Sequence, residues 1–195
     1  MFRGNNVGTL VRSRGALLLN TDGAAIIEFA VALPLLVVLV VGIFDFGGAF
    51  NLKQELNNAA REGARFGAAQ PTNDLAQGQP PSVSAVRYVV AAYLTNAHIN
   101  DCGLGSNSTT WNTGGGLTWV FSATAGCSLT LTVSRAAQVP ETAPGGAQVN
   151  MLCTSVNIVY PYRWHFNNVI QLLIPGASYN LINNIQSNAT AANVD

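Results

Sequence analysis

Charge is scarce in this 195-residue sequence: 9% of its side chains are Asp, Glu, Lys or Arg, against about a quarter in an average soluble domain. The nine basic and nine acidic side chains cancel to zero net charge. No basic cluster marks a nucleic-acid surface, so no nucleic-acid partner is expected. Histidine is almost missing. His98 and His165 have no ligand spacing to each other or to the cysteines, so neither a metal nor another cofactor is called for, and both read as surface or structural histidines. No nucleophile motif built on Ser, Asp and His is recognisable, and no Gly-rich phosphate loop follows a strand. These absences argue against an enzyme. Cysteine is sparse and one-sided: Cys102, Cys127 and Cys153 all lie in the second half. That distribution suits an oxidising compartment with at most one internal disulfide. Cys102 and Cys127 sit beside glycines in expected loops and are the expected pair. Cys153 lies in a strand pattern and reads as a buried thiol. Three reduced cysteines are the alternative.

What the sequence does have is one long apolar run. Residues 24–44 are apolar apart from Glu28, with a proline at Pro34. At about 1.5 Å per helical residue they match the roughly 30 Å of a bilayer core. Arg3, Arg12 and Arg14 precede the run, no acid comes before Asp22, and Asp45 follows it. That asymmetry predicts a cytoplasmic N-terminus and an extracytoplasmic remainder. A cleaved secretory signal would have a shorter apolar core of about 7–15 residues ending at a small-x-small site. This run leads instead into more helix, so a retained anchor is expected.

From Asp45 to about Ala69 there is no proline. Phe46, Phe50, Lys53, Leu56, Ala60, Gly63 and Gly67 recur at helical spacing. Gly63 and Gly67 form a small-xxx-small pair that permits close backbone approach. Arg61 and Arg65 read as a solvated face. Pro71 is expected to end the helix, because the residue before a proline disfavours helical geometry.

Glu28 is the unusual residue of the anchor. A carboxylate in hydrocarbon costs about 2.5–3.5 kcal/mol at a helix centre and marks a functional position. Gly23 lies five residues before it. A glycine lets a protease approach the backbone, and a cut after Gly23 would leave an ammonium on Ala24, one helical turn from Glu28. The stretch Gly23-Ala-Ala-Ile-Ile-Glu28-Phe29-Ala-Val-Ala-Leu-Pro34 continues into Gly42-Ile-Phe-Asp45-Phe-Gly47 and then Asn58-Ala-Ala-Arg61-Glu62-Gly63-Ala64-Arg65. Over these residues the chain resembles the TadE-like pseudopilin family. The resemblance implies a minor, pilin-like component of the Tad (Flp) branch of bacterial type IV pilus machinery. It also implies maturation by an aspartic, membrane-embedded prepilin peptidase, with Gly23 and Ala24 flanking the cut and Glu28 and Phe29 as the acidic–aromatic pair after it. The implied partners are that peptidase, other pilin-like subunits, the Tad inner-membrane platform and the lipid bilayer.

Beyond the helix, residues 70–82 hold Pro71, Gly78, Pro80 and Pro81 and read as a linker or exposed loop. Val83, Val86, Val90, Tyr93, Leu94 and Ala97 predict a second helix over 83–97. Residues 100–116 are rich in Asn, Ser, Thr and Gly and read as a loop. Strands are expected at 117–122, at 128–134 and at 148–160, the last two joined through a loop at 139–146. Residues 163–174 read as a short helix or crossover, and 178–188 as a final strand. Trp111, Trp119, Trp164, Tyr160 and Tyr162 are expected in packing rather than in a ligand surface.

The expected fold is α+β: a long transmembrane helix extending into an antiparallel sheet head, like those of type IV pilins. The expected divisions are a processed leader at 1–23, an anchor and extended helix at 24–70, and an extracytoplasmic head at 71–195. Two rival classes remain. One is a signal-anchored envelope binding protein with an unprocessed N-terminus. The other is an envelope enzyme.

Overall fold

The computed structural model describes residues 21–106, 109–164, 171, 176 and 184–194. The expected leader therefore lies outside the described residues, apart from its last few. So do His165, most of the 163–174 segment and the first part of the strand expected at 178–188.

Helix α1 runs Thr21–Ala68, 48 residues with Pro34 inside it, about 70 Å at the usual rise. Its first half stands clear of the other described residues. Ile26, Ile27, Phe29, Val31, Leu35 and Phe44 are exposed. Its last part, from Leu56, alternates small and apolar residues on one face, with Leu56, Ala59, Ala60 and Ala64 at or near zero exposure.

Helix α2, Pro81–Asn96, lies against this part of α1. Proline suits its first turn, where a missing N–H goes unnoticed. No neighbouring side chain caps it; Asp74 does so from the linker, accepting bonds from the Ser82 N–H at 2.8 Å and the Ser82 hydroxyl at 3.0 Å. At the other end Ile99 donates to the Leu94 carbonyl at 2.9 Å across His98, which has φ 58°. This is a glycine-type helix stop made without glycine.

Among the described residues, five strands form one antiparallel sheet in chain order: β1 Thr110–Thr113, β2 Thr118–Ala123, β3 Leu129–Thr142, β4 Gln148–Pro161 and β5 Asn184–Ala192. The period-2 alternation in β2 and early β3 puts Trp119, Phe121, Leu129, Leu131 and Val133 on the inner face, joined by Val156 and Ile158 of β4. That face packs on Val83, Val86, Val90 and Leu94 of α2 and on the distal part of α1. The result is an α+β head wrapped around the end of a membrane-length helix, consistent with a pilin-like fold.

Three sequence expectations need correction. The loop expected at 139–146 is a strand pair for half its length: the β3–β4 ladder continues to Thr142 opposite Gln148, with Pro140 opposite Asn150. Proline fits there because β2 stops pairing with β3 at Ser134, so Pro140 lies on a free edge and misses no ladder bond. The loop expected at 100–116 contains β1, a short edge strand whose four residues are all exposed and carry no apolar alternation. The last strand, expected to end at 188, runs on through Ala192, a tail of low intrinsic β-preference ordered by its pairing with β4.

Candidate functional site

Helix α1 carries the candidate site, and its environment falls into three zones along its length. Gly23, Ala24, Glu28 and Phe29 lie on its first turns, all exposed, with Phe29 at 65%. A Cβ placed on Gly23 would meet nothing within 4 Å. Glu28 has no ion-pair partner among the described residues; the pair present there is Arg65–Glu62 at 3.5 Å on the surface. Among the described residues, neither Gly23 nor Glu28 has a packing or ion-pair partner. The stretch that follows is the one helix among the described residues long and apolar enough to cross a membrane, with a mean hydropathy of 2.8 over its best window.

At Asp45 the surroundings change. Asp45 is 5% exposed, and Tyr162 explains why. The Tyr162 hydroxyl donates to the Asp45 backbone carbonyl at 2.9 Å and reaches its carboxylate at 3.2 Å. Burial, and then the Asp45 charge, push the Tyr162 phenol above its ordinary value. Trp164 stacks edge-on against both Tyr162 and Phe46. Further up, the Lys53 amine donates to the Gln186 carbonyl on β5, and the Tyr93 hydroxyl of α2 donates to Glu55 at 3.2 Å. A cleft of about 600 Å³ opens beside that pair, lined by Gly48, Asn51, Glu55, Tyr93 and His98 among others.

In the third zone α1 is sewn into the head. Gly63 and Gly67 are buried against α2 and β4. A Cβ on Gly63 would lie 2.7 Å from Val90 Cγ2, and one on Gly67 would lie 2.9 Å from Thr154 Cγ2 and 3.0 Å from Val86 Cγ2. The small-xxx-small pair thus brings α1 close to its own head rather than lying in the lipid span. Arg135 closes the end of the helix. A β-bulge between Ser134 and Ala137 turns its side chain under α1, where it is 2% exposed and Nη2 donates to the Gln70 carbonyl at 2.8 Å. A cation at a helix C-terminus is favourably placed against the helix dipole. Burial pulls the Arg135 guanidinium below its ordinary value, and the charge of Asp74 partly offsets this.

Cys102 and Cys127 are joined by a disulfide with Cα atoms 5.0 Å apart, and Cys153 is a buried free thiol. Arg87, 5% exposed on α2, holds the disulfide loop by donating to the Leu104 and Ser106 carbonyls at 2.7 and 2.8 Å. Trp119 is in the core and donates to the Gly78 carbonyl at 2.9 Å, whereas Trp111 is 40% exposed. Among the described residues no three His, Cys, Asp or Glu side chains gather as a metal site.

Sequence reasoning missed Asp45, Asp74, Arg87 and Arg135 as structural residues. Arg87 did leave a signal: it sits among Val83, Val86 and Val90 on the buried face of α2, where a charge must find partners. Arg135 left none, because its burial depends on the bulge.

Among the described residues, one exposed apolar helix of membrane length runs into an α+β sheet head, an arrangement that suggests a membrane anchor and is consistent with a pilin-like fold. Residues 23–65 match the family model of TadE-like proteins. The chain is therefore TadE-like over this segment, which covers the anchor and most of the helix that enters the head. No curated protein and no solved structure matches the chain significantly.

Proposed function

We propose that the chain is a minor pilin-like subunit of Tad (Flp) pilus assembly, cut after Gly23 by a prepilin peptidase and assembled through its helix. The observation that carries this reading is the contrast between the two sets of notable residues on α1. Gly63 and Gly67 are small because the head leaves no room for a Cβ. Gly23 is small where the described residues leave open space, and Glu28 is charged where the described residues offer no ion-pair partner. Residues that the fold does not need answer to something outside it. A protease needs backbone access at Gly23. A new ammonium on Ala24, of the same chain or a neighbour, would neutralise Glu28 once the leader is gone.

In this reading residues 1–23 are the cytoplasmic leader, 24–70 the anchor and extended helix, and 71–195 the head on the far side of the inner membrane. The arginines before the span support that orientation, and the Cys102–Cys127 disulfide supports an oxidising compartment for the head. Partners are the peptidase, other pilin-like subunits and the Tad platform. The role is structural.

The test is the N-terminus of the mature protein in a host that carries the cognate peptidase. Sequencing or intact mass should find Ala24 first. Gly23→Phe should leave the leader in place. Glu28→Leu should insert and be cut normally yet fail to assemble. A mature chain that keeps its leader, or normal assembly of both variants, would sink the proposal.

A further inference from the structure

We propose that the membrane-proximal end of the head rests on the extracytoplasmic lipid interface through an aromatic collar made by Phe46, Phe50, Tyr162 and Trp164. This rests on reading α1 as a membrane anchor and is independent of cleavage.

The collar is assembled from distant parts of the chain. Phe46 and Phe50 come from α1, one turn apart, and are 55% and 65% exposed. Tyr162 and Trp164 follow β4. The rings of Phe46 and Trp164 are 5.2 Å apart and those of Tyr162 and Trp164 are 4.9 Å apart, both edge-on. The Tyr162 hydroxyl fixes the cluster to the backbone of Asp45 at 2.9 Å. An open apolar groove of about 370 Å³ runs beside it, lined by Phe46, Ala49, Phe50, Trp164 and Ile185 and topped by Lys53.

Height selects the occupant. The apolar run ends at Phe44, so at about 1.5 Å per residue Phe46 lies about 3 Å and Phe50 about 9 Å above the hydrocarbon edge. The headgroup layer on each side of a bilayer is roughly 5–8 Å thick. Phe46, with Trp164 packed on it, thus falls in the layer where Trp and Tyr concentrate, and Phe50 stands at its outer edge. Charge is arranged to match. Arg163, between the two collar aromatics, is exposed. Lys53 sits about 13 Å up and gives its amine to the Gln186 carbonyl. The exposed apolar surface of α1 from Ile26 to Phe44 continues into Phe46 and Phe50. The collar is an extension of a surface that lipid already covers, and it fixes the height of the head before the subunit leaves the bilayer.

The experiment uses the full chain in phosphatidylcholine–phosphatidylglycerol vesicles at low protein density, with quenchers carried on lipid headgroups or at mid-chain. The headgroup quencher should reduce tryptophan emission in the wild type and in Trp111→Phe, and the reduction should vanish in Trp164→Phe. Phe46→Ser keeps every tryptophan and should shift the Trp164 emission to longer wavelength. The proposal is overturned if Trp164→Phe is quenched as strongly as the wild type. It is also overturned if Trp164 is shielded from the headgroup quencher and that shielding grows with protein density, which would make a second copy the occupant. A chain that does not float with vesicles refutes the anchor reading itself, whereas a chain that floats with Trp164 unquenched refutes the docking alone.

Discussion

Adding one methyl group at Gly63 should have a sign opposite to the usual one for a helix. Replacing glycine by alanine inside a helix ordinarily stabilises it by about 1 kcal/mol. At Gly63 the new Cβ would lie 2.7 Å from Val90 Cγ2, with Val156 Cγ1 and Val86 Cγ1 at 3.6 Å. Carbon atoms prefer about 3.5–4.0 Å, so the Val90 contact is short by roughly 1 Å. Valine in a helix has essentially one rotamer and cannot swing away cheaply. The helices must separate instead, an overpacking cost of about 1–3 kcal/mol. Gly63→Ala should therefore destabilise the protein by about 1 kcal/mol net, which lowers the melting temperature by about 2–4 °C for a chain of this size. Gly47, on the same helix, meets nothing within 4 Å, so Gly47→Ala should be neutral or mildly stabilising. The assay is thermal unfolding of the full chain in mild detergent, followed by tryptophan emission. The Gly63→Ala/Val90→Ala pair supplies the decisive comparison: the new Cβ fills space left by the valine methyls, so the double variant should be more stable than the sum of the singles by about 1 kcal/mol. If Gly63→Ala behaves like Gly47→Ala, or if the double variant is strictly additive, the close packing of α1 on α2 is refuted.

Two further outcomes follow from the head. Replacing both Cys102 and Cys127 by serine opens a loop of sequence separation 25 and should cost about 3.5 kcal/mol by the chain-entropy relation, read as a lower urea midpoint; thiol titration of the unfolded, unreduced wild type should find only Cys153. Tyr93, Tyr160 and Tyr162 are all pushed above the ordinary phenol value of 10.0, chiefly by burial and then by Glu55, Asp101 and Asp45 respectively. The unfolded chain therefore loses these protons first. The stability they confer is intact below pH 10.0 and falls as pH rises from there through the raised folded values. In an alkaline titration the native phenolate absorbance should lag that of the urea-unfolded chain, and coincident curves would contradict the burial of these hydroxyls.

The legible parts of the fold were those written in local period. The long helix, helix α2 and the inner faces of β2, β3 and β4 follow from spacings of 3.6 and 2 in apolar residues. The strand around Leu129, Leu131 and Val133 reads directly from its alternation, and its far end does not. From Ala137 to Thr142 the chain is strand only because β4 pairs with it, and Pro140 is tolerated only because that stretch lies on a free edge. Strand β1 was invisible for a related reason: none of Thr110–Thr113 is buried, so it leaves no alternation to read.

The candidate site divides along the same line. Gly23, Glu28 and the apolar run are features of one continuous segment, and the sequence by itself determined them: a membrane-length helix, a charge that hydrocarbon penalises, and a small residue at a fixed spacing before it. Only the tertiary structure decided which glycines of that helix serve the fold. It set Gly63 and Gly67 against Val90, Val86 and Thr154 and left Gly23 in the open. It also joined Phe46 to Trp164 and buried Arg135 beneath the helix end. Those relations connect residues far apart in the chain, and they exist only once the sheet has closed on α1. Periodicity along one segment records what that segment can bury; it carries no record of which distant side chain will cover it.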